Sequence, residues 1–268
     1  MDHEITIRIS FFSGIFLLLA LGELWKPRRA LGASKKERWF NNLTIMLMDT
    51  LLVRFLFPLV PVSMALLARE RGWGLFNHAD FPYLLQVTGA VLVLDCVVYI
   101  QHVLFHAIPT LWRFHLMHHV DLDLDVTSGM RFHPVEIALS MGIKLVAIGL
   151  LGPPALAVLI FEIVLNGTSM FNHSNIFIPL PMDRFLRLFM VTPDMHRVHH
   201  SVILRESESN YGFALTWWDW LFGTYRAQPA KGHEGMTIGN SRFLDEQRQR
   251  LWWLLLLLPF SKKAGKWR

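Results

Sequence analysis

Long apolar stretches alternate with short polar ones along the first two thirds of the chain. They cover residues 5–25, 43–68, 83–105 and 135–170. A helix of about 20 apolar residues crosses a bilayer, so each stretch predicts at least one membrane-spanning helix. The second stretch carries Asp49 and Arg54 and is interrupted by Pro58 and Pro61. Charges inside a span indicate that these side chains meet groups on other helices or snorkel to the membrane surface.

The fourth stretch is interrupted at its middle by Gly152, Pro153 and Pro154. Two consecutive prolines break a helix. About 17 residues remain on each side, which is enough for two helices joined in a hairpin that enters and leaves the membrane on one side. The pattern therefore predicts an all-α polytopic membrane protein with four or five transmembrane helices.

The distribution of basic residues predicts the orientation. The loop between the first two spans holds six of them, Lys26, Arg28, Arg29, Lys35, Lys36 and Arg38. The positive-inside rule places this loop in the cytoplasm. Residues 102–200, apart from the hairpin, then lie on that same face as a cytoplasmic histidine-rich helical cap. We expect the bacterial inner membrane as the location, with the active site facing the cytoplasm.

The composition agrees with a membrane protein and excludes several other classes. Hydrophobic residues make up 53% of the chain and charged residues 18%, against about 25% charged in soluble domains. The net charge of +5 in so apolar a chain indicates membrane topology rather than binding of nucleic acid. The single cysteine, Cys96, excludes a disulfide framework and any cysteine-based metal site.

Ten of the thirteen histidines fall between residues 102 and 200, and eight of them form three tight motifs. Residues i, i+3 and i+4 share one face of a helix, so each motif projects its imidazoles together. Eight imidazoles are too many for one ion, but they suffice for two ions with open positions for a small molecule. The motifs are HxxxH at His102 and His106, and HxxHH at His115, His118 and His119 and at His196, His199 and His200.

The spacing of the histidines is compatible with several metals and with more than one use of the metal. Imidazole suits iron, zinc, copper and nickel; an all-nitrogen site for two ions at a membrane surface fits iron used with dioxygen, and zinc can occupy the same ligands. The chain lacks HExxH, which excludes the common zinc-protease arrangement. A membrane metal-binding or transport protein is the main alternative function, and a haem-binding subunit is another. Both fit less well because the motifs crowd at one face.

These motifs resemble those of the fatty acid hydroxylase superfamily, which includes sterol desaturases and alkylglycerol monooxygenase. The resemblance covers about residues 90–226. Further matching segments are Thr192-Pro193, Asn210-Tyr211-Gly212, Trp218-Asp219, Leu221-Phe222-Gly223-Thr224, His133-Pro134-Val135-Glu136 and Asn172-His173-Ser174. The three histidine motifs together are specific to the superfamily and do not distinguish its substrates.

The resemblance implies a non-haem di-iron oxidoreductase that uses O2 to hydroxylate or desaturate a lipid, such as a sterol or fatty acyl chain, in lipid biosynthesis. The eight motif histidines would be the iron ligands, with His173 as a ninth. No fused haem electron carrier is recognisable, so the resemblance implies a separate donor of ferredoxin, flavoprotein or cytochrome type. The expected organisation is residues 1–82 as N-terminal transmembrane helices, 83–226 as the catalytic domain with the hairpin, and 227–268 as a cytoplasmic tail.

The remaining polar candidates have weaker support. We expect one or more of His133, Asp95, Asp194, Asp219 and Asn166 to bind a metal or to hydrogen-bond to a ligand. The acidic run Asp121, Asp123 and Asp125 reads as a solvated loop. In the tail, apolar residues 251–260 with two tryptophans predict an interfacial helix, followed by the basic residues Lys262, Lys263, Lys266 and Arg268.

Overall fold

The computed structural model describes residues 3–78, 80–244 and 251–265. Within these ranges the regular structure is helical, apart from two isolated bridges that join Pro27 to Ile176 and Ser201 to Ile238. The helices are α1 (Glu4–Trp25), α2 (Lys35–Leu56), α3 (Pro61–Arg71), α4 (Leu75–His78), α5 (Tyr83–Ala107), α6 (Pro109–His119), α7 (Pro134–Leu151), α8 (Ala155–His173), α9 (Leu180–Leu186), α10 (Pro193–His199), α11 (Leu204–Ser207), α12 (Trp217–Leu221), α13 (Gly232–Gly235) and α14 (Trp252–Leu256), with 3-10 turns at Ser128–Met130, Leu258–Phe260 and Lys262–Ala264.

Five segments of the described chain are long and apolar enough to cross a membrane. They are Glu4–Trp25, Lys35–His78, Tyr83–Ala107, Pro134–Leu151 and Ala155–His173. This confirms the prediction of an all-α protein with four or five spans and a hairpin. The second segment combines α2, α3 and α4. Its first break arises because the chain leaves the helix before Pro58 and resumes it with Pro61 in the first turn.

The hairpin tip is a close backbone contact that only glycine permits. Gly152 ends α7 with a φ of 61°, in the left-handed region. A Cβ added there would lie 2.1 Å from the carbonyl oxygen of Trp73. Gly74 faces it in turn, since a Cβ on Gly74 would lie 2.2 Å from the nitrogen of Gly152. The segment after α3 is thus packed directly on the tip of the α7–α8 hairpin.

The centre of the membrane bundle lies among α3, α5, α7 and α8. Their buried apolar side chains form one cluster, which includes Val62, Leu94, Ile148 and Phe161. Outside it, apolar side chains remain uncovered, as at Leu18 and Leu150, each 71% exposed. Burying apolar surface drives folding in water, so exposed leucines in long helices are the pattern expected where lipid is the surrounding solvent.

The described part of the tail packs on the helical cap through some of its apolar side chains. Residues 251–260 fold as the five-residue helix α14 and a 3-10 turn. Leu255 and Leu258 are buried against Trp112 and Leu116 of α6. The apolar segment therefore has a buried part that covers α6 and an exposed part, since Trp253 and Phe260 are 47% and 73% exposed. Of the basic residues predicted to follow, Lys266 and Arg268 lie outside the described residues.

The acidic run after α6 is buried, so the prediction of a solvated loop is wrong. Arg38 of α2 donates to Asp121 and, at 3.1 Å, to Asp125, and both carboxylates have zero exposure. Burial alone would raise the pKa of Asp121, but Arg38 and then Arg131 hold that pKa below its ordinary value. Asp123 accepts hydrogen bonds from the backbone of Gly32 and Ala33. The run thus ties the loop between α1 and α2 to the helical cap.

Candidate metal centre

Nine histidines meet at one end of the membrane bundle. α5 ends at Ala107 and α6 begins at Pro109, so the chain reverses and directs two motifs toward each other. α10 begins with a cap, in which the Thr192 hydroxyl accepts from the backbone of Met195 at 3.3 Å. None of the nine is more than 3% exposed; they are His102, His106, His115, His118, His119, His173, His196, His199 and His200.

The nine imidazoles form two groups of ligand atoms. The first histidine group contains His102, His106, His115, His119 and His199, and the second contains His118, His173, His196 and His200. Within each group, one ring nitrogen from every member lies within 4.8 Å of all the others. The structure thus brings together the eight motif histidines and His173, and it divides them between two places.

Hydrogen bonds on the outer side of the rings fix which nitrogen carries the proton. His102 Nδ1 lies 2.7 Å from the carbonyl oxygen of Tyr211, and His173 Nδ1 lies 2.7 Å from that of Ser169. His118 Nδ1 and His199 Nδ1 similarly face backbone carbonyls, at 3.1 and 2.7 Å. A carbonyl oxygen only accepts, so each Nδ1 is the donor and each Nε2 of the neutral ring presents a lone pair to the centre.

The contact between His118 and His173 shows that the donor set fits a cation. Their Nε2 atoms are 3.0 Å apart, although both rings already carry their proton on Nδ1. Two lone pairs at that distance repel each other unless a positive ion lies between them. Two nitrogens that each lie about 2.1 Å from one metal ion are separated by about 3 Å when they bind at a right angle. In the first histidine group, the Nε2 atoms of His102 and His199 are buried without a hydrogen-bond partner.

Burial keeps these imidazoles in the form that binds metal. Desolvation lowers the pKa of His115 to about 3. It also lowers the pKa of His119 and His199 well below the ordinary value, and their histidine neighbours add to this effect. A histidine with a lowered pKa is neutral at pH 7, and only the neutral ring has a free lone pair.

Glu136 is the carboxylate that sequence reasoning did not assign to the centre. Its Oε1 lies 2.7 Å from His115 Nδ1, and the side chain is 4% exposed. A carboxylate behind a ligating imidazole fixes the ring and raises its basicity. The signal in the sequence is the segment His133-Pro134-Val135-Glu136, whose glutamate follows the histidine by three residues.

His133 and Asp95 lie outside both histidine groups. His133 begins α7, where its Nδ1 accepts from the backbone of Val135 at 3.1 Å and its Nε2 lies 3.2 Å from the carbonyl oxygen of Leu256. Asp95 accepts a hydrogen bond from the indole of Trp218 at 2.8 Å. It accepts none from His102, which lies seven residues further along α5 and faces the carbonyl oxygen of Tyr211. His133 therefore caps α7, and Asp95 holds the segment that follows Tyr211.

Asp194 and Asn166 also have their hydrogen-bond and ion-pair partners outside the two histidine groups. Asp194 pairs with Arg28 at 3.1 Å and with Arg197. Burial alone would raise the pKa of Asp194, but these arginines and His233 hold it below its ordinary value. Asn166 donates to the backbone oxygen of Glu162 at 2.8 Å. Neither side chain belongs to the two histidine groups.

The segment that supplies carbonyls to His102 and His199 is itself held by Asp219. This carboxylate accepts from the backbone of Tyr211 at 2.8 Å and of Gly212 at 2.9 Å. A Cβ on Gly212 would lie 2.8 Å from Asp219, so the close approach requires glycine. Burial raises the pKa of Asp219 to about 6. Asp219 therefore shapes the backbone that orients His102.

A cavity of about 740 Å³ reaches the histidines from within the membrane bundle. It lies among α1, α2, α5, α7 and α8, and its walls are mostly apolar. His102 and His115 line one part of it, and Arg8, Lys144 and Glu162 line another. A volume of this size is in the range of ligand-binding sites. The arrangement can hold a long apolar molecule with one part beside the imidazoles.

Comparison with known proteins gives concordant matches. The family model described as fatty acid hydroxylase matches residues 87–224. The chain is 30% identical to the ornithine lipid hydroxylase of Rhizobium tropici over 215 residues, which is 77% of this chain and 60% of that protein. It is 28% identical to the alkylglycerol monooxygenase of Homo sapiens over 152 residues, covering 56% of this chain and 32% of that enzyme.

A third relative is the very-long-chain aldehyde decarbonylase GL1-11 of Oryza sativa subsp. indica, 27% identical over 158 residues, which is 56% of this chain and 58% of the relative. The chain thus spans between about a third and three fifths of these curated relatives. No solved structure matches it.

Proposed function

The chain belongs to the fatty acid hydroxylase family, and from this premise we propose that it is an integral-membrane di-iron enzyme that uses O2 to hydroxylate a lipid. The observation that carries the proposal is the pair of buried histidine groups, two of whose members line a large apolar cavity. The family match and the lipid-hydroxylating relative support the reaction class.

Each histidine group would hold one iron ion. Five imidazoles are available to the first ion and four to the second, and imidazole nitrogen is a good ligand for iron. When bound, two redox-active ions supply the activation of dioxygen that cleavage of an unactivated C–H bond requires. Zinc at the same ligands would leave the protein without this redox chemistry.

The protein's own residues position the rings and the substrate. The carbonyl oxygens of Tyr211 and Ser209 and the carboxylate of Glu136 hold His102, His199 and His115 with Nε2 inward. The apolar walls of the cavity would keep water away from the reacting carbon and hold it next to His102 and His115. These residues orient ligands and substrate.

The reaction requires electrons from outside the chain. Hydroxylation consumes one lipid C–H bond, O2, two electrons and two protons, and yields the alcohol and water. Desaturation with the same inputs removes two hydrogens and yields an alkene and two waters. We propose a ferredoxin, flavoprotein or cytochrome as the separate electron donor. The relatives named for ornithine lipid and alkylglycerol support a polar lipid as the substrate, in preference to a sterol.

The proposed organisation follows the histidines. Residues 83–226 carry every proposed ligand, residues 1–82 supply α1 and α2 as cavity walls, and the described part of 227–268 covers α6. The basic loop between α1 and α2 supports a site that faces the cytoplasm of a bacterial inner membrane.

The test combines lipid mass spectrometry with a metal-ligand variant. Cells that express the wild-type protein should accumulate one lipid class with a mass gain of about 16 units, or a loss of about 2 units for desaturation, relative to cells without it. His199→Ala should abolish this product, and His78→Ala, which changes a histidine remote from the cavity, should retain it. An unchanged lipid profile, or full activity in His199→Ala, would contradict the proposal.

A further inference from the structure

Three oxygen atoms of side chains that line the cavity accept no hydrogen bond. They are Oδ1 of Asp49 on α2, Oε2 of Glu136 on α7 and Oε1 of Gln101 on α5. All three residues line the cavity, and Asp49 and Glu136 are 6% and 4% exposed. A buried polar group without a partner is costly, so three such acceptors in one cavity indicate a ligand that carries donors.

Most of the other charged side chains that line the cavity form ion pairs. Arg54 on α2 forms none among the described residues, and it is exposed. Arg8 donates to Glu4 at 2.9 Å and to Glu162 at 2.5 Å. Lys144 lies 3.5 Å from the same Glu162. Among the described residues, by contrast, Asp49 forms no ion pair. The cavity thus has one region in which the charged side chains pair with each other. It has a second, acidic region around Asp49 in which they do not.

From this contrast we infer that Asp49, Glu136 and Gln101 bind the ammonium group of an amphipathic substrate. A primary ammonium brings three N–H donors and one positive charge, which match three acceptors and the unpaired carboxylate of Asp49. A hydroxyl brings one donor and no charge, and a carboxylate or phosphate brings the wrong charge. The inference rests on the proposed function and narrows its substrate to an amine-bearing lipid.

The position of Glu136 also indicates which part of the lipid reacts. His102 and His115 line the cavity together with the three acceptors, and Glu136 contacts His115 directly. The ammonium end of the substrate therefore lies beside the histidines. Its hydrocarbon part follows the apolar side chains of α1 and α2, among them Ile9, Phe12 and Val53.

The wild-type protein gives the first test. Dodecylamine, dodecanol and dodecanoate share one chain length and differ in charge and donors. Their binding to the purified full-length protein in a nonionic detergent at pH 7 is measured by equilibrium binding of the radiolabelled compounds. We expect dodecylamine to bind at least tenfold more tightly than dodecanol, a difference of about 1.4 kcal/mol, and dodecanoate to bind most weakly. Equal binding of amine and alcohol, or a preference for dodecanoate, overturns the inference.

Asp49→Asn keeps the shape of the side chain and removes its charge, and it should reduce the preference for the amine to threefold or less with dodecanol binding unchanged. Glu4→Gln is the matched control, because it removes one negative charge from the ion-paired region of the same cavity. It should keep the full preference. An Asp49→Asn protein with the wild-type preference, or a Glu4→Gln protein without it, also overturns the inference.

Metal content and lipid product, measured on the same preparations, separate this inference from the proposed function. Amine selectivity in a protein that binds no metal and oxidises no lipid would leave the ammonium site standing and refute the enzyme. Lipid oxidation without amine selectivity would do the reverse.

Discussion

Replacing His173 should remove one metal ion and spare the other. His173 belongs to the second histidine group, where its Nε2 lies 3.0 Å from that of His118 and 3.1 Å from that of His196. His173→Ala leaves three nitrogens in this group, fewer than the four of a closed structural metal site. The five nitrogens of the first histidine group remain. The protein should therefore fall from about two bound ions per chain to about one.

The size of the effect follows from linkage. An ion present at 1,000 times its Kd stabilises the fold by about 4.1 kcal/mol. Each kcal/mol raises the Tm of a chain of this size by about 2–4 °C. Loading two ions should therefore raise the Tm by roughly 16–32 °C, and His173→Ala should show about half of this rise.

The assay uses protein stripped with a chelator and reloaded with ferrous iron without oxygen or with Zn²⁺. Free ion is removed by dialysis for the metal count and is kept in excess for the Tm measurement. Elemental analysis counts the ions, and tryptophan fluorescence follows thermal unfolding. His133→Ala is the control, because His133 is also buried but lies outside both groups. It should lose about 1 kcal/mol with its hydrogen bonds and keep both ions. A His173→Ala protein with two ions and the full rise in Tm would refute the division into two groups, as would loss of an ion from His133→Ala.

Three further predictions concern the fold around the centre. Arg38→Met should lower stability by about 3–5 kcal/mol in thermal or denaturant unfolding, because it removes the ion pairs of Arg38 with the buried Asp121 and Asp125 and leaves Asp121 only the longer contact with Arg131. Adding Asp121→Asn should recover part of the loss, and a small effect of Arg38→Met would contradict the buried network. The pKa of His115 is about 3 in the folded protein and about 6.5 in the unfolded chain. Between these values the unfolded chain binds more protons, so the Tm of metal-free protein should fall as pH decreases from 7 to 4. A Tm that does not change over this range would contradict the lowered pKa. Gly152→Ala should lower the Tm, because residue 152 has a positive φ and the added Cβ would lie 2.1 Å from a backbone oxygen. Gly142→Ala is the control and should leave the Tm unchanged, because its Cβ meets nothing within 4 Å. Equal Tm values for the two variants would contradict the contact at the hairpin tip.

The spans and the histidine motifs could be predicted from sequence because each depends on local periodicity. Runs of apolar residues and the Gly152-Pro153-Pro154 break are sufficient to define the membrane helices. HxxHH places imidazoles on one helix face whatever that helix packs against. The fold class and the gathering of the histidines follow from those two patterns.

The errors arose where a partner lies far away in sequence. Asp121 and Asp125 read as solvent-exposed because nothing local neutralises them, but Arg38 reaches them from more than 80 positions away. Leu255 and Leu258 are likewise buried by an apolar surface on α6, a contact that no local pattern indicates. Sequence pattern shows that a side chain is apolar or charged, but only the tertiary structure shows what it meets.

The division of the histidines shows why neither motif is a binding site by itself. In α6, His115 and His119 belong to the first histidine group and His118 to the second. The second HxxHH motif has the opposite distribution, with His196 and His200 in the second group and His199 in the first.

This follows from helix geometry. Positions i and i+4 lie about 40° apart around a helix and pair at one place, whereas i+3 points about 100° from i+4, toward the other place. Each motif therefore gives two nitrogens to one group and one to the other, and both groups contain ligands from both motifs. The relative placement of α6 and α10 then fixes both sites at once, so any change that shifts one helix against the other should weaken the binding of both ions together.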